Sequence, residues 1–292
     1  MKVIIWGHLL HSHTHSYTHE GFYRAFKFLG YETFWFDNDT NINSFDFSDC
    51  LFLTEAQVDS KIPMRKDCKY VLHNCYKMRY LIAGIPENNI LMLQVYVLPA
   101  LTLGEKINEY TIYNKKVRGL FQPWATSLLP TEISFENPFS IPKNKEALFI
   151  GSYGTGDFGN KEEWDAFGKA CQENGIKLKI TGGKIDLLQT VSMIKQAYMA
   201  PAIQGPWQVE KGYIPCRIFK NISCGQIGIT NSTTVNSIYN NNLVYSPNCN
   251  TLFFLAQREI QEKNEKKIIE NIKITKEFHT FVNRAKTILS MF

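Results

Sequence analysis

The first forty residues constrain the fold most. Lys2–Trp6 is a short, largely β-branched run that ends at Gly7, the pattern of a strand buried on both faces. From about Thr18 to Leu29, Phe22, Ala25, Phe26 and Leu29 recur at i, i+3, i+4 and i+7, one apolar stripe of a helix. Gly30 stands where a C-cap glycine belongs, and Thr33–Phe36 reads as a second strand ending in Asp37-Asn38-Asp39. Strand, loop, helix, glycine and strand make a βαβ unit, which calls for a parallel sheet with crossover helices.

The pattern continues through strand-like runs at Cys50–Thr54, Tyr70–His73 and Ile90–Val97, and through Gly119–Phe121. Pro130 to Lys145 carries Pro130, Pro138 and Pro142 without helical or strand period, and reads as an interdomain linker. A second α/β cycle follows. Strands are expected at Ala147–Ile150, Lys177–Ile180, Ala202–Gln204 and Ile227–Thr230, with helices near 161–174, 187–198 and 217–223 and a mostly helical tail from Thr251. A chain of 292 residues accommodates two such domains at about 150 residues each. Its 44% hydrophobic and 13% aromatic content fills two cores, which excludes disorder, collagen and coiled coil.

Charge and cysteine usage narrow the class. Thirty-two basic against 27 acidic residues leave a net charge of +5 with no basic block, so a nucleic-acid partner is not expected. Seven scattered cysteines without a CxxC pair argue for reduced thiols rather than a disulfide framework or zinc module. The first residues show no secretory signal, and Leu91–Leu103, interrupted by Gln94 and Pro99, is too short to span a bilayer. A cytoplasmic protein without a transmembrane segment is expected.

In open parallel sheets ligands bind beyond the carboxyl ends of the strands, so residues just after each strand matter most. Gly7 to Glu20 holds five of the seven histidines, and His11, His13 and His15 alternate. Three readings stand: a transition-metal site, a general base or oxyanion stabiliser, and a polar loop with local hydrogen bonds. Glu20 is the one carboxylate of the loop, and the run is not HExxH. Asp37-Asn38-Asp39 has the DxD form that holds a divalent metal on a nucleotide diphosphate, although Asp and Asn are also ordinary turn formers. Gly151-Ser152-Tyr153-Gly154-Thr155-Gly156 lies between a strand and a helix, where small residues admit an anion, yet it matches neither GxGxxG nor a P-loop. In Tyr213–Gly225, Pro215 near a helix start and Gly225 after its end frame Arg217, a planar donor fork suited to phosphate or to a structural carboxylate.

Tyr213-Ile214-Pro215-Cys216-Arg217-Ile218-Phe219-Lys220-Asn221-Ile222-Ser223-Cys224-Gly225 resembles the donor-site element of GT-B glycosyltransferases, a P-x-R-x-F-E-A-x-A-x-G helix. Other segments agree in order: Gly7 with the histidine loop, Trp124–Pro130, Phe149-Ile150-Gly151-Ser152, and His279-Thr280 followed by Arg284-Ala285. The resemblance implies two Rossmann-like parallel-sheet domains facing a cleft, with a C-terminal helix crossing back to the first. Residues 1–130 would be acceptor-side, 131–275 donor-binding and 276–292 the terminal helix. It implies transfer of a sugar from a nucleotide-diphosphate donor to an acceptor hydroxyl, that of a glycan, membrane-borne or free, which would place the protein at the membrane periphery in the first case. The donor would lie on Gly151, Ser152, Tyr153, Gly182, Gly183, Gln204, Tyr213, Ile214, Pro215, Arg217 and Lys220. The base would be His13, His15, His11 or Glu20, with His73, Asn74 and Trp124 on the acceptor side and no metal or other cofactor. Lys220 stands where many members carry a glutamate that hydrogen-bonds the ribose, and lysine has donors only. A nucleotide-sugar epimerase, a non-catalytic nucleotide-sugar or glycan binder and a histidine-loop metal protein are the alternatives.

Overall fold

A computed structural model describes residues 1–96, 108–112, 115–135, 139–141, 143–156, 159–182 and 184–292. They form two compact units, Met1–Leu129 with Phe281–Phe292, and Pro130–Thr280. The expected parallel α/β architecture is present in both. Among the described residues, no helix is long and apolar enough to cross a membrane, and all seven cysteines are free.

The first unit runs β1 (Lys2–Trp6), α1 (Ser16–Phe28), β2 (Thr33–Phe36), β3 (Cys50–Glu55), β4 (Lys69–His73), α2 (Lys77–Ile82), β5 (Ile90–Gln94), β6 (Asn108–Ile112) and β7 (Lys115–Phe121). The sheet order is β2-β1-β3-β4-β5-β7-β6, parallel except where β6 runs against β7. The expected strand reaching Val97 ends at Gln94, and Val97 lies outside the described residues. Strands β1, β3, β4 and β5 are nearly continuous apolar runs because both faces of the sheet are covered. Phe36, Phe45, Phe47, Phe52 and Tyr70 build an aromatic layer under it. The register pairs Trp6 with Thr54 and Glu55 with His73, which brings the chain leaving β1 beside the ends of β3 and β4. Strand order reverses between β1 and β3, so their carboxyl ends flank a topological switch point, where such sheets place ligands.

The second unit contains β8 (Asn144–Ile150), α3 (Lys161–Glu173), β9 (Lys177–Thr181), α4 (Leu187–Gln196), β10 (Ala197–Met199), α5 (Pro206–Glu210), α6 (Cys216–Ser223), β11 (Ile229–Thr230), α7 (Thr233–Ser237), β12 (Val244–Tyr245), α8 (Cys249–Glu262) and α9 (Glu265–Phe278). β8 lies between β9 and β10, β11 pairs with β12, and a single parallel bridge, Ala202 to Thr230, joins the two sets. The resulting order, β9-β8-β10-β11-β12, repeats the arrangement of the first five strands of the other unit, with its switch point between β8 and β10. The strand expected at Ala202–Gln204 is displaced to Ala197–Met199, and Ala202 keeps one bridge. Pro201 between them has no N–H to give a ladder.

The chain then returns to the first unit as α10 (Phe281–Leu289). The second unit ends at Thr280, just after α9 ends at Phe278. Phe281 meets Phe22 of α1 with ring centroids 4.8 Å apart, and buried Arg284 donates from Nε to the Pro123 carbonyl at 2.8 Å. A Cβ at Gly21 would stand 2.3 Å from the Phe281 ring, so glycine there lets the two helices meet.

Candidate functional site

In the second unit the residues gather at the ends of β8, β9 and β10. Arg217, in the first turn of α6, donates from Nε to the Ile150 carbonyl at 3.1 Å and lies with its guanidinium carbon 4.0 Å from the Phe149 ring centroid. Its Nη2 passes where a Cβ of residue 151 would be, at 2.3 Å, and Gly151 itself has φ +148°. No carboxylate pairs with Arg217 among the described residues, which removes the structural-carboxylate alternative there. Burial lowers its pKa, yet a guanidinium stays charged. A fixed cation held by a ring face and one carbonyl, with donors to spare, is suited to a phosphate oxygen.

The loops around it are close-packed. A Cβ at Gly182 would stand 3.1 Å from the Gly151 carbonyl, and one at Gly205 would overlap the Gly159 carbonyl at 1.7 Å. Ser152 is exposed, while the Tyr153 hydroxyl donates to Asp165 of α3 with Lys161 Nζ 5.5 Å from its ring centroid. Gln204 is fully buried: it exchanges backbone bonds with the Asn231 side chain at 2.9 and 2.8 Å and donates from Nε2 to the Tyr213 carbonyl at 2.8 Å. That bond fixes the segment of half-buried Tyr213, buried Ile214 and Pro215, the cap residue before α6. Lys220 is half-buried one turn beyond Arg217. Gly183 lies outside the described residues.

In the first unit the histidine loop closes around a carboxylate that is not among the expected site residues. Glu55, only 3% exposed at the end of β3, accepts through Oε2 from His15 Nδ1. His73 Nδ1, at the end of β4, stands 3.6 Å from the same oxygen, an electrostatic contact. His8 Nε2 stands 3.0 Å from Oε1 and 3.3 Å from Gln57 Oε1. Burial raises the Glu55 carboxyl, but the imidazoles of His15 and His73 more than offset it and hold the group well below the usual carboxylate range. His19 is pushed down to about 4 by burial, and a Cβ at Gly7 would stand 2.5 Å from its ring. His13, lowered by burial and then by His8 and His15, stacks on His8 at 4.2 Å.

Hydrogen bonds sort the candidate bases. His13 Nδ1 accepts from the His15 N–H at 3.2 Å, so in the neutral ring the proton sits on Nε2. His15 is the reverse: Nδ1 donates to Glu55, which leaves the Nε2 lone pair available, the logic of a carboxylate-oriented histidine. His11, at φ +69°, instead contacts Tyr17 through Nδ1 at 3.2 Å. Glu20 is half-buried on α1 and belongs to neither group of ligand-type atoms gathered around Glu55. Trp124 is buried with its ring edge-on to His73 at 4.9 Å, and Asn74 is exposed at φ +55°. Asp37 spends Oδ1 on the Asp39 N–H and the Thr40 hydroxyl, the ordinary turn, and Asn38 Oδ1 accepts from Trp6 Nε1. Glu55 directly follows the strand-like run Cys50–Thr54, so the strand-end rule that points to the histidine loop also reaches it.

No family model matches this chain, and no curated protein does. Solved structures do. An alpha-glucosyltransferase in complex with UDP and a 13-mer DNA containing a central A:G mismatch superposes with a TM-score of 0.66 at 8% identity, covering 100% of this chain and 98% of that one. An alpha-glucosyltransferase in complex with UDP gives 0.55 at 10% identity over 95% of each chain. An alpha,alpha-trehalose-phosphate synthase (UDP-forming) from Burkholderia xenovorans, in complex with glucose-6-phosphate, gives 0.54 at 8% identity over 96% of this chain and 79% of that one. At these identities the likeness is one of fold: the chain has the GT-B fold.

Proposed function

We propose that this chain is a glycosyltransferase that moves a sugar from a nucleotide-diphosphate donor to an acceptor hydroxyl. The observation that carries the reading is Arg217, a cation held across Gly151 at the switch point of the second sheet with no carboxylate among the described residues to neutralise it. There it meets the charge that grows on the departing diphosphate, helped by the amino end of α6 and by Lys220. The protein's own charges stabilise this leaving group, and the step is assigned no metal. His15, oriented by Glu55, takes the acceptor proton at Nε2.

A glycan is the acceptor we favour. The neighbour solved with DNA supports a second reading, a hydroxyl borne on nucleic acid. A thermal-shift screen of UDP-, GDP-, CMP- and dTDP-sugars should show one nucleotide class raising the melting temperature, because a ligand of the native state stabilises it. Arg217→Ala should weaken that binding about 10- to 100-fold, the worth of a hydrogen bond to a charged group, with the melt of the free protein little changed. Product analysis over glycan and DNA acceptors then separates the readings of the acceptor. Donor consumed without transfer to any acceptor would favour an epimerase, and unchanged binding in Arg217→Ala would sink the donor-site assignment.

A further inference from the structure

The group around Glu55 has a second chemistry that does not depend on the donor reading. One ligand-type atom each from His15, Glu55 and His73 lie within 4.8 Å of one another, and so do one each from His8, His13 and Glu55. The two sets differ in ring geometry. An imidazole ligates in its own plane, so two histidines share an ion only where their planes meet. His8 and His13 are stacked at 4.2 Å with planes 27° apart, which keeps their in-plane lone pairs side by side. His15 and His73 are set edge to face at 5.8 Å and 65°, and their planes converge. Both Nδ1 atoms are turned to the same carboxylate oxygen.

A second observation points to a ligand. His73 is 5% exposed, and neither ring nitrogen has a hydrogen-bond partner. A buried imidazole with two idle nitrogens, one of them 3.6 Å from a carboxylate oxygen, is an incomplete arrangement for a protein interior.

We propose that His15 Nδ1, Glu55 Oε2 and His73 Nδ1 form a binding site for a divalent transition-metal ion of the zinc class. Two imidazoles and one carboxylate suit zinc or cobalt and disfavour magnesium, which selects oxygen ligands. Binding asks for no oxidant: the proton on His15 Nδ1 moves to Nε2 and the ion takes the lone pair left behind. A zinc-loaded site therefore no longer offers Nε2 to an acceptor hydroxyl, and zinc would inhibit the proposed transfer rather than assist it.

The test uses the full chain, stripped with a chelator and dialysed. Zinc chloride titrated calorimetrically should bind at one equivalent, and magnesium chloride should give no comparable uptake. Cobalt chloride should develop the visible absorption of a low-coordinate nitrogen- and oxygen-ligated ion. His15→Gln and His73→Gln should each weaken zinc binding at least about 10-fold, the least expected when a group that ligates is lost. His8→Gln should leave it within a factor of about two. Circular dichroism and an unchanged cooperative melt of the first unit establish that each variant is folded. Absence of stoichiometric zinc uptake by the unmodified chain overturns the proposal without the variants. Loss in His8→Gln with retention in His73→Gln overturns it in favour of the stacked pair. Neither result bears on Arg217, so this proposal fails separately from the transferase reading.

Discussion

Gly151 and Arg217 are best considered as one device. The guanidinium crosses the space a side chain at 151 would fill, and φ +148° is a backbone region that L side chains rarely adopt. Gly151→Ala should therefore cost about 1–3 kcal/mol of stability and displace Arg217 from its seat. Calorimetric titration with the nucleotide found by the screen should show a loss comparable to Arg217→Ala, and denaturant unfolding should show the stability cost. His19 offers a different residue-scale test. Its pKa is lowered from 6.5 to about 4 by burial, so the unfolded chain binds the proton more readily. The sign follows: the contribution is fully present above pH 6.5 and is lost as pH falls towards 4, by about 3 kcal/mol at ~1.4 kcal/mol per pH unit. Unfolding free energies of the native chain and His19→Asn, measured across that window, should diverge in slope, the variant being the flatter.

At the scale of elements, α1 and α10 meet through the missing side chain of Gly21. Gly21→Ala drives a methyl into the Phe281 ring and should destabilise the first unit by about 1–3 kcal/mol, the usual cost of overpacking, read as a lower melting temperature. The elements also show what the chain made legible. Strands β1, β3, β4 and β5 announce themselves as apolar runs because both faces are covered, and α1 does so because only one of its faces is. β10 is three residues that follow α4 without a break, so its Ala-Tyr-Met looks like more helix. Arg217 stands out because proline and glycine frame its helix. Glu55 is hidden differently: forty residues separate it from His15, and only the register of β1 on β3 brings them together. Distance along the chain concealed the carboxylate, and sheet pairing supplied it.

For the whole molecule, the two units are unequal in how they are written into the chain. The second is one continuous segment, Pro130–Thr280, whereas the first needs Phe281–Phe292 to complete it. Removing those last residues uncovers Phe22 and leaves Gln122 Nε2 without the Arg284 carbonyl that it donates to. The truncated chain should lose the cooperative melt of the first unit while Pro130–Thr280 stays folded. Protease mapping should then find cuts concentrated before residue 130, and equal protection of both units would contradict the description.

That discontinuity also sets an order of events at the ribosome. Residues 1–129 belong to a unit whose last helix, α10, is translated only after the whole of the second unit. At roughly 5–20 residues per second, the nascent sheet waits on the order of 10 seconds for α10 while the second unit is synthesised. During that interval the apolar flank of α1 has no partner and is a natural target for chaperones. The segment made second can thus finish folding first, and the emergence of α10 is what lets the first unit close.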